Sequence, residues 1–200
     1  MAYDALAESV ALIESRSLTP VFRLSRRRRF AAMAVDVDGD VAATMFLRRG
    51  AGRVHEEIHI LTLRGSTWRL LGGGGAAVSL DDGDALLAER PSALPQAQLS
   101  ASDTLRGISR KVMTPGASGG VLDDDGRSGR LPWQGRWIGY TTVQVRRRVE
   151  RVQVDDRTIP VPWHGQVLIV RRGHRSARIV AYDAEARALG KARLPSVRRY

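Results

Sequence analysis

From Trp137 onward the chain is one β-prone run after another with turn residues between them: WIGYTTVQV, VERVQV, TIPVPWH, QVLIVRR and SARIVAYDA. Val, Ile, Thr, Tyr and Trp restrict their own χ1 rotation and pack well on a pleated surface, so this third of the chain is committed to sheet. Several short strands at this spacing imply a sandwich-like unit. Within it, Pro160 and Pro162 leave TIPVPWH without two ladder donors, which predicts an edge strand. QVLIVRR has no polar face and is expected at the centre of a sheet, buried on both sides. The short ALGKARL adds a last strand.

The first third follows a different plan. Asp4 can cap a helix whose Leu6, Val10 and Ile13 share one face, with Thr19-Pro20 ending it. Val21 to Leu24 reads as a short strand with Phe22 and Leu24 on one side. From Phe30 a meander begins: FAAMAVDV, VAATMFLRR, RVHEEIHILTLR and TWRLL, with turns at Asp38-Gly39, Gly50-Ala51-Gly52 and Gly65-Ser66. A helix lying across such a meander buries the sheet's apolar face. Gly72 to Gly75 then interrupts the pattern. The Ala-, Ser-, Pro- and Asp-rich text that follows reads as linker with a short helix over Asp84 to Arg90. The expected fold is therefore mainly β. Residues 1–72 form an N-terminal helix packed on an antiparallel β-meander, 73–132 a loose connector, and 133–200 a C-terminal β-sandwich-like unit. One discontinuous sandwich is the other arrangement this pattern allows.

With 200 residues and 43% apolar content the chain can bury a core. It has no cysteine, which removes disulfide frameworks, thiolate metal sites and cysteine nucleophiles. The first residues carry acids inside their apolar pattern, unlike a secretory signal, and no segment is long and apolar enough for a membrane span. A cytoplasmic protein without membrane contact is the expectation.

The net charge of +11 raises nucleic acid as a partner, because clustered cations release counterions from phosphate. Lys111 and Lys191 are the only lysines, however, and so strong a preference for arginine matches the habit of a GC-rich coding sequence. The arginines cluster at Arg26 to Arg29, Arg146 to Arg148, and Arg171-Arg172 with Arg175. Consecutive residues on a strand point to opposite faces, so several clusters must converge to make a basic surface.

Two motifs carry catalytic chemistry on paper. His55-Glu56-Glu57-Ile58-His59 is a literal H-E-x-x-H, which on a helix sets two imidazoles one turn apart to share zinc beside a glutamate base. On a strand the same imidazoles stand roughly 13 Å apart. The alternation of Ile58, Ile60 and Thr62 with His59, Leu61 and Leu63 favours strand, and no third ligand follows. Pro115 to Leu122, PGASGGVL, is similar to the nucleophile segment of trypsin-like serine proteases, with Ser118 as nucleophile and backbone amides around the oxyanion. The chain order His, Asp, Ser also matches, through His55 or His59 and Asp81, Asp82 or Asp84. The text usual around that family's histidine is absent. Asp36-Val37-Asp38-Gly39-Asp40 and Asp123-Asp124-Asp125-Gly126 open like calcium loops, but the first has Val41 and Leu47 where an EF-hand needs glycine and a bidentate acid. Both read as turns.

The expectation is a non-catalytic β-rich binding or assembly module with a protein partner, no cofactor, no metal and no catalytic set. Its contacts with an acidic partner are expected at Arg26, Arg27, Arg28, Arg29, Arg146, Arg147, Arg148, Arg171 and Arg172. A zinc-dependent hydrolase using His55, Glu56 and His59, and a basic nucleic-acid-binding protein, are the alternatives.

Overall fold

The computed structural model describes residues 3–92, 94, 112–124, 135–173 and 176–194, so 93, 95–111 and 125–132 of the connector lie outside the described residues. The chain is mainly β, with one N-terminal helix on an antiparallel meander. That helix, α1 (Ala5–Ser15), starts where Asp4 accepts the amides of Leu6 and Ala7. It stops earlier than Thr19-Pro20, because Arg16 turns left-handed at φ 48° and donates its N–H to the Leu12 carbonyl. Val21 to Leu24 forms no strand. Val21 and Leu24 both turn into the core and leave Phe22 60% exposed, which separates the Phe22 and Leu24 expected on one side.

The meander runs β1 (Phe30–Asp38), β2 (Val41–Arg49), β3 (Val54–Arg64) and β4 (Thr67–Val78), paired in that order. Gly39 and Gly65 hold its tight turns at φ 63° and 61°, a conformation in which a Cβ would be strained. The glycine run does not interrupt the sheet. Gly72 to Gly75 lie inside β4, where a Cβ on Gly74 would strike the Tyr140 hydroxyl and one on Gly73 would strike the Ile58 carbonyl. The residues are small because two backbones and a tyrosine crowd them, which composition alone reads as a linker. After β4, Ser79 caps α2 (Leu80–Leu87), which begins before the Asp84 expected for it.

The second sheet contains β5 (Met113–Asp123), β6 (Arg136–Val145) and β9 (Gln166–Arg172). The third contains β7 (Arg151–Val154), β8 (Arg157–Pro160), β10 (Ala177–Tyr182) and β11 (Ala188–Leu194), in the order β11, β10, β7, β8. The proline-bearing β8 is thus an edge, as its missing donors require. Alternation along β6 and β9 buries both of their faces. Ile138, Tyr140, Leu168 and Val170 close one core with Met33, Met45, Leu47 and Ile58 of the meander. Val143, Val145, Val167 and Ile169 close another with Val152, Val154, Ile179 and Ala181, in a sandwich-like packing of sheets.

QVLIVRR is buried on both faces but is not central. β9 ends its sheet, with its outer side beside β1. Side chains do there what a neighbouring strand would do. Asp36 Oδ2 accepts the Val170 N–H at 2.8 Å, and Arg157 donates to the Val170 carbonyl at 2.9 Å. A buried edge with unmet backbone groups would be costly, and this pair removes that cost.

Candidate functional site

The H-E-x-x-H run lies on β3, so its histidines do not meet on one ion. His59 points under α1, where its Nδ1 is 3.0 Å from Ser9 Oγ, which in turn is 2.8 Å from Thr44 Oγ1. Its Nε2 stands 3.8 Å from Glu57 Oε2. Ser9 is fully buried and His59 nearly so. Among the described residues no three His, Asp or Glu side chains gather to hold a metal. Ser118 sits exposed on β5, paired across the ladder with Thr141, and the serine bonded to His59 is Ser9. No described helix is long and apolar enough to cross a membrane.

The arginine clusters have separate fates. Arg26 to Arg29 are not on a strand. They form a bend in which Ser25 donates its N–H to the Arg28 carbonyl and accepts the Arg28 N–H on its hydroxyl, at 2.9 and 3.0 Å. Released from strand alternation, all four line one groove of about 900 Å³. Arg48 and Arg49 join them from the end of β2, because the β1–β2 register sets Arg48 opposite Phe30 and the Arg49 amide on the Arg29 carbonyl at 2.7 Å. Arg49 Nη1 also donates to the Leu24 carbonyl at 3.1 Å, which ties the bend to the sheet. Six guanidiniums therefore converge on one open groove, with Phe30, Ala31 and Ala32 among its lining. A second hollow of about 360 Å³ shares Arg26, Arg29 and Arg49.

The groove's inner end is built from Tyr3, just ahead of α1, and from β2 and β3. Tyr3 packs on Phe30 and Phe46 with ring centroids 5.1 and 5.9 Å apart, and Arg48 lies 5.8 Å over its ring. Burial and the neighbouring Glu57 carboxylate push the Tyr3 phenol well above its ordinary range. Arg48 is bound to Glu57 Oε1 through Nε at 2.7 Å and Nη2 at 2.6 Å. Among the described residues, Arg26 to Arg29 and Arg49 meet no carboxylate at ion-pair distance.

The other predicted arginines lie elsewhere. Arg146 to Arg148 turn the chain after β6, with the Arg146 and Arg147 amides bonded to the carbonyls of Val112 and Pro91 and the Arg147 side chain 4.0 Å from Glu89. Arg171 is 6% exposed, and burial lowers its pKa. Arg172 pairs with Asp38 at 3.2 Å and Asp40 at 3.5 Å. The sequence reading missed Arg48, Arg49, Tyr3 and Glu57. Hairpin arithmetic was the available signal: a tight turn at Gly39 brings the end of β2 back beside the start of β1.

A smaller hollow of about 130 Å³ lies between β1, β8 and β9. Its carboxylate, Asp36, is already met by Arg157 at 3.2 Å and by the Val170 amide, so its hydrogen-bonding demand is satisfied within the chain. Comparison with protein families, with curated proteins and with solved structures finds no match for this chain.

Proposed function

We propose that the protein is a non-catalytic binding module, acting in the cytoplasm, whose arginine groove receives an acidic segment of a partner protein. The observation that carries this reading is the convergence of Arg26 to Arg29 with Arg48 and Arg49 on one groove, five of the six without a carboxylate among the described residues. Guanidiniums present fixed pairs of N–H donors that match carboxylates in two-point contact, and an unfilled cluster of them concentrates anions. An acidic peptide fits better than single-stranded nucleic acid because the groove's aromatics, Tyr3 and Phe30, are packed on each other and on Phe46 instead of standing free to stack on bases.

Binding of a fluorescent deca-aspartate peptide tests this reading, with an oligothymidylate in parallel. The peptide is expected to bind, to weaken as salt rises, and to bind roughly 30-fold more weakly to a variant with serine at Arg26 to Arg29. Tighter binding of the oligothymidylate with a steep salt slope would instead favour nucleic acid. Binding of neither probe sinks the groove as a site.

A further inference from the structure

The inner end of the groove holds an arginine that is already occupied, and on the other oxygen of its glutamate stands a buried histidine placed to replace it. We propose that Glu57 keeps Arg48 in reserve, and that an anionic group entering the groove takes Arg48 away while His59 binds a proton from solvent and replaces it on the Glu57 carboxylate. This rests on the groove being the binding site. Strand alternation puts Glu57 and His59 on the same side of β3, and the β2–β3 register sets Phe46 and Thr44 opposite them, with Arg48 one step beyond. The two oxygens of one carboxylate are thereby divided. Oε1 takes both Arg48 donors, at 2.7 and 2.6 Å, and Oε2 faces His59 Nε2 at 3.8 Å.

Protonation of a buried imidazole usually fails because one of its nitrogens loses an acceptor role it needs. Here it does not. His59 Nδ1 faces Ser9 Oγ at 3.0 Å, and that hydroxyl has Thr44 Oγ1 at 2.8 Å. Hydroxyls either donate or accept, so the pair serves a neutral ring that accepts at Nδ1 and equally a charged ring that donates there. Among the described residues, the charged and titratable groups beside His59 and the Arg48–Glu57 pair are Tyr3, just ahead of α1 and with Glu8 acting on its phenol, Arg48 from β2, Glu57 on β3 itself, and His55, which the register sets opposite Arg48. β4 presents Gly73 opposite His59, and β1 presents Phe30 to the Tyr3 ring. In the free protein, burial lowers the His59 pKa against the pull of Glu57. When a ligand anion claims Arg48, Glu57 loses the cation that balanced it, and its attraction for a charged His59 increases. The charges balance: one anionic group enters, and up to one proton is taken up.

The test is calorimetric titration of the intact protein with the deca-aspartate peptide, near neutral pH, in buffers of different ionisation enthalpy. Affinity is also measured from about pH 8 down to about pH 6, a range over which the peptide's charge stays constant while a histidine linked to binding gains its proton. Wild type is expected to take up protons on binding and to bind roughly 3- to 10-fold more tightly at the acid end. His59→Asn, which keeps a polar partner for Ser9, is expected to bind with no pH dependence. Glu57→Gln, which frees Arg48 without touching His59's hydroxyl partners, is expected to be pH-independent and tighter than wild type at the alkaline end. Binding that takes up no proton and is equal at both ends of the range overturns the exchange while leaving the groove as a site. Full pH dependence retained in either variant overturns it as well. Absence of peptide binding at every pH overturns both this inference and the reading beneath it.

Discussion

Two sets of arginines in this molecule are built from the same side chain and used in opposite ways. Along the seam between the meander and the rest of the fold, Arg136, Arg157 and Arg172 each have an acid. Arg157 pairs with Asp36, Arg172 with Asp38 and Asp40, and Arg136 with Asp40 at 2.7 Å and Asp123 at 3.1 Å. Asp36, Asp38 and Asp40 recur at every second position, so the text that resembles a calcium-loop opening is a row of carboxylates facing arginines from later strands. In the groove, Arg26 to Arg29 and Arg49 have no such acids among the described residues. Arginine is thus consumed where it holds elements together and left open where it faces solvent. Net charge alone does not separate the two uses.

The largest effect expected from breaking this contrast is at Asp36. Asp36→Ala leaves the Val170 amide without its acceptor and Arg157 without its carboxylate, both mostly out of water. The expected loss is about 3 kcal/mol of unfolding free energy, against within about 0.5 kcal/mol for Arg27→Ala in the groove. Urea denaturation at neutral pH measures both. Equal losses in the two variants would remove the distinction between seam and groove.

The seam also carries two opposed titrations. Burial raises Asp36 to about 6, beyond what Arg157 can offset, so the folded state binds this proton more tightly than the unfolded chain does. Its contribution to stability is present below about pH 4 and is lost as pH rises through about 6. His164 has the reverse sign. Its Nε2–H donates to the Met33 carbonyl at 2.9 Å and its Nδ1 accepts the Gln166 amide at 3.0 Å, which requires a neutral ring. Burial lowers it to about 4, so its contribution is present above about pH 6.5 and is lost as pH falls toward about 4. Each is worth about 3 kcal/mol over that window. Relative to wild type, Asp36→Asn is expected to lose more stability on acidification, and His164→Gln to lose less. Unfolding free energies of the three proteins at about pH 4 and about pH 7 decide the matter; parallel curves for all three would contradict it.

Much of this fold is legible in the text. The meander's strands and turns follow from alternation and from glycine at the turns, and β8 shows itself as an edge by its prolines. The pairing of Asp36 with Arg157 was not legible, because it joins residues from distant strands and leaves no local period. The glycine run of β4 misled for a related reason: its cause is Tyr140, far along the chain, so locally it looks like linker. The basic patch was half visible. Strand alternation would have scattered Arg26 to Arg29, and the bend closed by one backbone and one side-chain hydrogen bond between Ser25 and Arg28 converts the run into one wall of a groove.

On the groove side of the comparison the expected effects are on binding. Replacing Arg26 to Arg29 with serine removes four exposed charges at about 0.5 kcal/mol each, so peptide affinity is expected to fall roughly 30-fold while the melting temperature stays close to wild type. A fall in stability as large as that of Asp36→Ala would mean these arginines hold the fold together after all.

The smallest expected effect isolates shape from charge. Ser25→Ala keeps all six guanidiniums and deletes only the hydroxyl that accepts the Arg28 amide. Short Ser side chains stabilise such bends by offering the backbone a local acceptor, and losing one costs about 0.5 to 1 kcal/mol. The Ser25 amide still donates to the Arg28 carbonyl, and Arg49 still pins Leu24, so the bend is loosened but not abolished. If preorganised convergence matters, peptide affinity is expected to drop about 3-fold at unchanged net charge, because the freed run samples extended conformations in which alternate arginines turn away. If charge density alone matters, affinity is expected to match wild type at every salt concentration. Measuring Ser25→Ala beside Arg27→Ala, which loses a charge but keeps the bend, tells these apart.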